Sequence, residues 1–128
     1  MKELQGEWLT VEAEENKNEL EKSIVRRQNR RITVKGNAWT MERVVNDKIG
    51  VYKGKFDIDP KKKSFDWIGK GPMGNAVEWI GIYELNGDTL KVCYRYNNDG
   101  TAKRPKDFST SDWEKPNALV FYTLKRQE

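Results

Sequence analysis

The sequence predicts an all-β protein, an antiparallel up-and-down barrel of about eight strands with one short α-helix after the first strand. Short β-rich runs alternate with turn residues along nearly the whole chain, and no strand–helix–strand rhythm interrupts them. The first and last runs are both strong, so their pairing would close the sheet and leave no exposed edge. Five Trp, five Tyr and four Phe residues supply large side chains for a core.

The predicted helix covers residues 18–25. Asn18 is a suitable N-cap with Glu21 three residues later, and Leu20 and Ile24 lie four positions apart on one face. The predicted strands follow one another through short turns. They lie at 6–14, 31–35, 38–45, 49–59, 64–68, 77–85, 89–96 and 118–126.

Two segments carry the clearest strand signals. Within 49–59, Tyr52, Phe56 and Ile58 alternate with charged residues, as expected for a strand with one buried face. Residues 86–88 read Asn-Gly-Asp between two β-rich runs, the strongest hairpin signal in the chain. Sequential hairpins favour a barrel over a Greek-key sandwich. A chain of 128 residues has room for one domain, so the barrel is expected to comprise 1–128.

The composition excludes several kinds of chemistry. The chain has no His and one Cys, which rules out His-dependent nucleophilic catalysis, His-ligated zinc and an intrachain disulfide. No spacing of acidic residues matches a metal site. We therefore expect no enzymatic activity, no metal and no cofactor. Cys93 is interpreted as a structural thiol in a strand. A reactive thiol would need a positive, partly exposed environment, for which only Lys91 and Arg95 are at hand.

The net charge of +4 permits contact with a polyanion without demanding it, because 24 basic and 20 acidic residues are well mixed. The four arginines within 26–31 form the main basic cluster. No aromatic residue lies among them, so we do not expect specific nucleic-acid binding. The lysines at 61–63 are interpreted as a solvated hairpin loop, and Glu14 and Glu15 as a solvated face.

No apolar run approaches the ~20 residues that a membrane-spanning helix requires, so we expect a soluble chain without a membrane partner. The N-terminal residues do not form a signal peptide. Two locations remain open: the cytoplasm, or an exported mature form from which a leader has been removed.

The opening Leu4-Gln5-Gly6-Glu7-Trp8 resembles the first strand of lipocalin-like, or calycin, barrels. In those barrels the Trp of the Gly-x-Trp motif plugs one end and packs against a basic residue near the last strand. The resemblance assigns this structural role to Gly6 and Trp8, with Arg126 or Lys125 as the basic partner. A cation over an indole face contributes about 0.5–2 kcal/mol.

Three further segments resemble a narrower family, a lipocalin-like domain of unknown function that is abundant in planctomycete genomes. They are the hairpin at 81–94, the strand and loop at 54–63, and the Arg-Pro…Phe-Ser stretch at 104–110. The resemblance spans nearly the whole chain. It implies a calycin-like barrel, and it brings no activity and no catalytic residues, because the family has none established.

The interior of an eight-stranded barrel is either filled by side chains or occupied by one small ligand. Glycines 50, 54 and 81 within strands would allow sharp bends or leave space beside a ligand. Arg43 or Arg95 would hold an anionic head group. The candidate pocket walls are aromatic: Trp39, Trp67, Trp79, Tyr94 and Tyr96.

Two functions follow from these alternatives. The first is non-enzymatic binding of a small apolar or amphipathic ligand inside the barrel, which the ligand enters past the helix or the loop at 71–72. The second is a closed, filled barrel that acts as a structural or protein-interaction module. It would contact a protein partner through the long polar loop at 97–117. The first is favoured by analogy with other barrels of this shape.

Overall fold

The computed structural model describes residues 2–97, 100–113 and 117–127. A 3₁₀ turn at Lys2–Leu4 precedes the first strand, and the single α-helix of the described residues, α1, covers Lys22–Gln28. The strands are β1 Gly6–Glu15, β2 Asn18–Glu19, β3 Arg31–Lys35, β4 Ala38–Val45, β5 Lys48–Asp59, β6 Ser64–Lys70, β7 Ala76–Asn86, β8 Thr89–Tyr96 and β9 Leu119–Gln127.

The sheet closes on itself. From β3 to β9 every strand pairs antiparallel with the next one in the chain, and β1 pairs with both β3 and β9. Trp8 lies opposite Arg126 in the closing pair and opposite Ile32 on the other side. The two-residue β2 only extends the edge of β1. The predicted all-β antiparallel barrel of eight strands is therefore confirmed, with strand limits within two residues of the predicted ones.

The helix begins later than predicted. Asn18 and Glu19 pair with the end of β1, and the Leu20 N–H donates to the Ala13 carbonyl, so this segment turns back along the sheet. Asn16 and Lys17 both take positive φ angles of 48° and 74° to make that turn. Asn18 is thus not the N-cap, and the helix starts only after Leu20.

One face of each strand fills the barrel. The burial patterns of β5, β6, β7 and β8 alternate. The aromatic residues that lie inside have even numbers in β5 and β8 (Tyr52, Phe56, Tyr94 and Tyr96) and odd numbers in β6 and β7 (Phe65, Trp67, Trp79 and Tyr83). This confirms the predicted buried face of 49–59. Phe121 lies on the outer face of β9, where its ring is 5.9 Å from that of Phe108.

Antiparallel neighbours place successive turns at alternate ends of the barrel. One end carries the turns at 36–37, 60–63 and 87–88, together with the 3₁₀ turn. The other end carries α1, the turn at 46–47, the loop at 71–75 and the β8–β9 connection, and we call it the mouth. Among the described residues no helix is long and apolar enough to cross a membrane.

Candidate functional site

The end opposite the mouth is closed by Trp8. Its side chain is fully buried, and its indole N–H donates to the Leu4 carbonyl at 3.1 Å. The guanidinium carbon of Arg126 lies 4.3 Å from the centre of the indole ring. Gly6 has a φ of +122°, which side-chain-bearing residues rarely adopt, and it lies next to Arg126. Gly6, Trp8 and Arg126 therefore meet at one end of the barrel.

The middle of the barrel is a continuous aromatic stack. Trp67 and Trp79 are stacked with ring centres 4.0 Å apart, and Trp79 stacks on Tyr94 at 4.4 Å. Trp39 stacks on Phe65 at 5.1 Å. These separations are van der Waals contacts, so the rings occupy the space between them. Four of the candidate wall residues, Trp39, Trp67, Trp79 and Tyr94, are at most 2% exposed and pack on one another or on Phe65.

Two strand glycines make room for these rings. A Cβ on Gly54 would lie 2.4 Å from the Ile68 carbonyl oxygen and 2.7 Å from the Trp67 indole, and a Cβ on Gly81 would lie 2.6 Å from the Cys93 carbonyl oxygen and 2.7 Å from the Phe65 ring. All four distances are closer than real side chains approach. The sequence predicts that these glycines allow either a sharp bend or space for a ligand. At Gly54 and Gly81 that space is filled by aromatic side chains of the protein itself.

Polar side chains begin where the aromatic stack ends, at the mouth. Arg43 shares the inward face of β4 with Trp39 and Met41 and lies opposite Gly50 of β5. Within the described part of the chain it has no hydrogen bond and no ion pair. Burial raises the pKa of Tyr96, the neighbouring Tyr52 raises it further, and the charge of Arg43 opposes the rise.

A second arginine lies beside this group, and it already has ion-pair and hydrogen-bond partners. Arg30 is 1% exposed and forms an ion pair with Glu15; it also donates to the Tyr122 hydroxyl at 2.6 Å and to the Gln28 side-chain oxygen at 2.7 Å. Burial alone would lower the pKa of Arg30, but Tyr122 and Glu15 hold it above its usual value. Burial also raises the pKa of Tyr122, to about 12, against the opposing charge of Arg30.

This buried pair corrects two sequence interpretations. Glu15 is not on a solvated face, and neither is Glu14, whose carboxylate accepts the Thr110 N–H at 2.8 Å. The arginines within 26–31 do not form one basic surface: Arg30 is inside and Arg31 is paired with Glu7. Sequence reasoning missed Arg30 because no short-range pattern marks an arginine whose partners are distant in the chain.

Arg95, the other predicted anchor, lies on the outer face of β8. It donates to the Lys103 carbonyl at 3.0 Å and lies 3.6 Å from an Asp112 carboxylate oxygen. Its neighbours Tyr94 and Tyr96 point the opposite way, because side chains alternate along a strand. Of the predicted pocket residues, the structure brings Arg43 and Tyr96 together at the mouth, and Arg95 belongs to another surface.

The described part of the β8–β9 connection, residues 100–113, is fastened to the outside of the barrel. Arg104 donates to the carbonyls of Phe65 and Gly81 at 2.7 and 2.9 Å. Thr110 is fully buried. The connection also covers Cys93, whose thiol contacts the Ser109 carbonyl and whose pKa burial raises to about 12. The remaining residues of the predicted interaction loop, 98–99 and 114–116, lie outside the described ranges.

Two cavities lie beside α1, and neither is lined by Arg43 or Tyr96. A cavity of about 330 Å³ lies between α1 and the turn at 46–47, lined by Ile24, Val44 and four polar residues. A second, of about 310 Å³, lies between α1 and β1. Across the described residues no cluster of acidic or thiol side chains could hold a metal ion.

Comparison of the chain with protein-family models, with curated proteins and with solved structures gives no match. The lipocalin-like family resemblance therefore stays a prediction from the quoted segments, and the functional argument depends on the mouth itself.

Proposed function

We propose that the protein is a non-enzymatic binding protein that holds a small amphipathic ligand at the mouth of the barrel, with an anionic group of the ligand on Arg43. The stacked rings of Trp67, Trp79 and Tyr94 occupy the middle of the interior. A ligand is therefore expected above this stack, near α1 and the turn at 46–47, and it must be small.

One observation carries the proposal: Arg43 is an inward-facing cation with no charge partner among the described residues. Taking a guanidinium partly out of water without a partner is costly, and an anionic group would offset that cost. The half-buried carboxylate of Glu15 is already held by Arg30 and so does not serve Arg43. An arginine beside tyrosine hydroxyls can receive a carboxylate, sulfonate or phosphate through several hydrogen bonds at once.

The surroundings suit a ligand with an apolar part. Tyr96 lies close enough to Arg43 to be affected by its charge, and it packs on Trp79 with ring centres 5.7 Å apart. Gly50, opposite Arg43, leaves the mouth open where any other residue would extend toward Pro72. These features favour a short apolar body over a long chain.

The test uses two dyes that differ in charge. 1-Anilinonaphthalene-8-sulfonate carries a sulfonate, and N-phenyl-1-naphthylamine has the same rings without it. We expect the sulfonate to bind and Arg43→Met to weaken it at least about tenfold, as expected for a charge-assisted contact. The neutral dye should bind both proteins equally. Native mass spectrometry of freshly purified protein would show whether a ligand from the host is carried along.

Arg95→Met is the matched control, because it removes the same charge from the outer face. Sulfonate affinity should be unchanged in this variant. The proposal is wrong if neither dye binds the folded protein, or if the two arginine variants lose the sulfonate to the same extent. Thermal unfolding of both variants would separate lost affinity from lost structure.

A further inference from the structure

We propose that the mouth of the barrel docks onto a lipid surface with anionic head groups through an apolar tip formed by Ile49, Pro72 and Met73. Contact with a lipid surface would be a further function of the mouth, in addition to the ligand binding proposed above. It also revises the expectation of no membrane partner, which considered only a segment that spans the bilayer and not contact with a lipid surface.

The apolar tip consists of two adjacent turns at the mouth. Met73 is 93% exposed and Ile49 is 66% exposed, the first and second most exposed large apolar side chains described. The two turns touch, since a Cβ on Gly50 would lie 3.3 Å from the Pro72 ring. Turns from distant parts of the sequence therefore bring exposed apolar side chains to neighbouring positions at the same end of the barrel.

The loop at 71–75 holds Met73 outward. The Gly71 N–H donates to the Asn75 carbonyl at 2.9 Å, and the Gly74 N–H donates to the Gly71 carbonyl at 3.0 Å. Gly74 takes a φ of +78°, which closes the turn. These hydrogen bonds fix the backbone of the loop, so Met73 is held in a defined position. The loop therefore loses little conformational entropy when the Met73 side chain enters an apolar phase.

Three lysines lie close to the apolar tip in the sequence or in the sheet. Lys48 precedes Ile49, Lys70 precedes the loop, and Lys53 is the direct strand partner of Lys70. All three are exposed, and none has a hydrogen bond or ion pair in the described ranges. Asp47 is the acidic residue of the turn, so the lysines outnumber it. Apolar side chains beside unpaired lysines are complementary to a bilayer whose surface is negative and whose interior is apolar.

The shape of the apolar tip favours a bilayer over a folded protein partner. Met73 stands almost clear of the molecule, and Ile49 is two-thirds exposed, so the surface protrudes. A protein partner would need a recess shaped to fit it, whereas lipid head groups part around a protruding side chain. The contact is a surface contact, since insertion reaches only the boundary between head groups and acyl chains.

Vesicle sedimentation tests the proposal. We expect the protein to sediment with vesicles of equal parts phosphatidylserine and phosphatidylcholine, and to remain in the supernatant with phosphatidylcholine alone. The double substitution Ile49→Ser with Met73→Ser should reduce the partition coefficient at least about tenfold, because it removes the apolar contact. Ile68→Ser is the matched control. Ile68 is 64% exposed but lies on the barrel wall, and its substitution should leave partitioning unchanged.

A second pair of variants tests the orientation through charge. Lys48→Glu with Lys70→Glu should abolish sedimentation with the anionic vesicles. Lys61→Glu with Lys62→Glu makes the same change in net charge at the opposite end and should preserve it.

Three results would overturn the docking proposal. One is no sedimentation with either vesicle. Another is equal losses in the mouth and opposite-end lysine variants, which would mean non-oriented attraction. The third is self-association that Ile49→Ser with Met73→Ser abolishes, measured by sedimentation velocity without lipid, which would assign the apolar tip to a second copy of this chain.

Discussion

The guanidinium of Arg126 lies over the indole of Trp8, which ties the last strand to the first at the end of the barrel opposite the mouth. The same side chain donates to the Gln5 and Glu3 carbonyls at 2.8 Å each, and to the Asp88 carboxylate at 3.3 Å. One arginine thus joins the segment before β1, the β7–β8 turn and β9. This end of the barrel depends on it.

We predict that Arg126→Ala lowers the free energy of unfolding by about 2 kcal/mol. The estimate combines about 0.5–2 kcal/mol for the cation over the indole with the loss of charged hydrogen bonds to carbonyl groups, reduced because Arg126 is partly exposed. Urea denaturation followed by Trp fluorescence measures it. Arg126→Lys should recover part of the loss, because a lysine keeps the charge and loses the planar donor geometry.

Lys125→Ala is the neighbouring control. Lys125 points away from Trp8 and contacts only the Thr89 hydroxyl among described residues, so the change should be within about 0.5 kcal/mol. Equal effects at 125 and 126 would mean that Arg126 acts through general strand pairing and not through Trp8.

The buried pair of Arg30 and Glu15 leads to a second prediction. Glu15→Gln leaves the Arg30 charge inside the barrel without its anion, and we expect a loss of about 2–4 kcal/mol. The lower part of the range applies because the Glu15 side chain keeps 29% of its surface exposed. Thermal and urea unfolding both measure this loss.

The double variant Glu15→Gln with Arg30→Met tests whether the unpaired charge of Arg30 causes this loss. It removes the unpaired charge, so it should be more stable than Glu15→Gln alone, although each substitution removes native contacts. Glu12→Gln changes an exposed carboxylate on the same strand and should have little effect. If the double variant is no better than the single one, burial of an unpaired charge is not the cause of the loss.

The sequence predicted the strands well because their signals are local. Alternation around Tyr52 and Phe56 and the Asn-Gly-Asp turn each depend on fewer than a dozen neighbouring residues. The helix was displaced for an equally local reason. Asn16 and Lys17 adopt positive φ, and this turn sends 18–19 back along β1 before any helix can form.

The mouth could be predicted only in part. Arg43 is predicted as one of two anchors for an anionic group and Tyr96 as an aromatic pocket wall, and the two residues lie close enough for the charge of Arg43 to affect Tyr96. Arg30 is not predicted, because it meets Tyr122 across 92 positions of sequence. Arg95 is predicted as the other anchor, but its side chain faces outward. Which residues of β8 face inward depends on the strand register, and a shift of one residue exchanges the two faces.

The filled interior leads to a third prediction, on two glycines. Gly54→Ala and Gly81→Ala should each lower the free energy of unfolding by about 2–4 kcal/mol, because the added methyl meets the Trp67 or Phe65 ring and adjacent backbone oxygen atoms. Gly50→Ala is the control. Its methyl would meet only the Pro72 ring at 3.3 Å, which can shift, so a change below about 1 kcal/mol is expected. Similar losses at all three positions would mean that the strand backbone, and not ring packing, requires glycine.

The fourth prediction concerns alkaline pH. Burial raises the pKa of Tyr122 to about 12, from the usual value of about 10, and also raises that of Tyr94. A raised pKa in the folded state means that this state holds the proton more tightly than the unfolded chain. The stability linked to Tyr122 is therefore complete below about pH 10 and is lost as the pH rises toward about 12.

For Tyr122 alone the loss should be on the order of 2–3 kcal/mol, and Tyr94 adds to it. Tyrosinate absorbance and circular dichroism, recorded together during an alkaline titration, measure both processes. Because burial raises the pKa of Tyr83, Tyr94, Tyr96 and Tyr122, we expect most of the tyrosinate absorbance to rise only as the protein unfolds. In guanidinium all five tyrosines should titrate near their usual pKa. A native protein whose five tyrosines ionise in one step near pH 10, with its circular dichroism unchanged, would mean that the aromatic interior admits water.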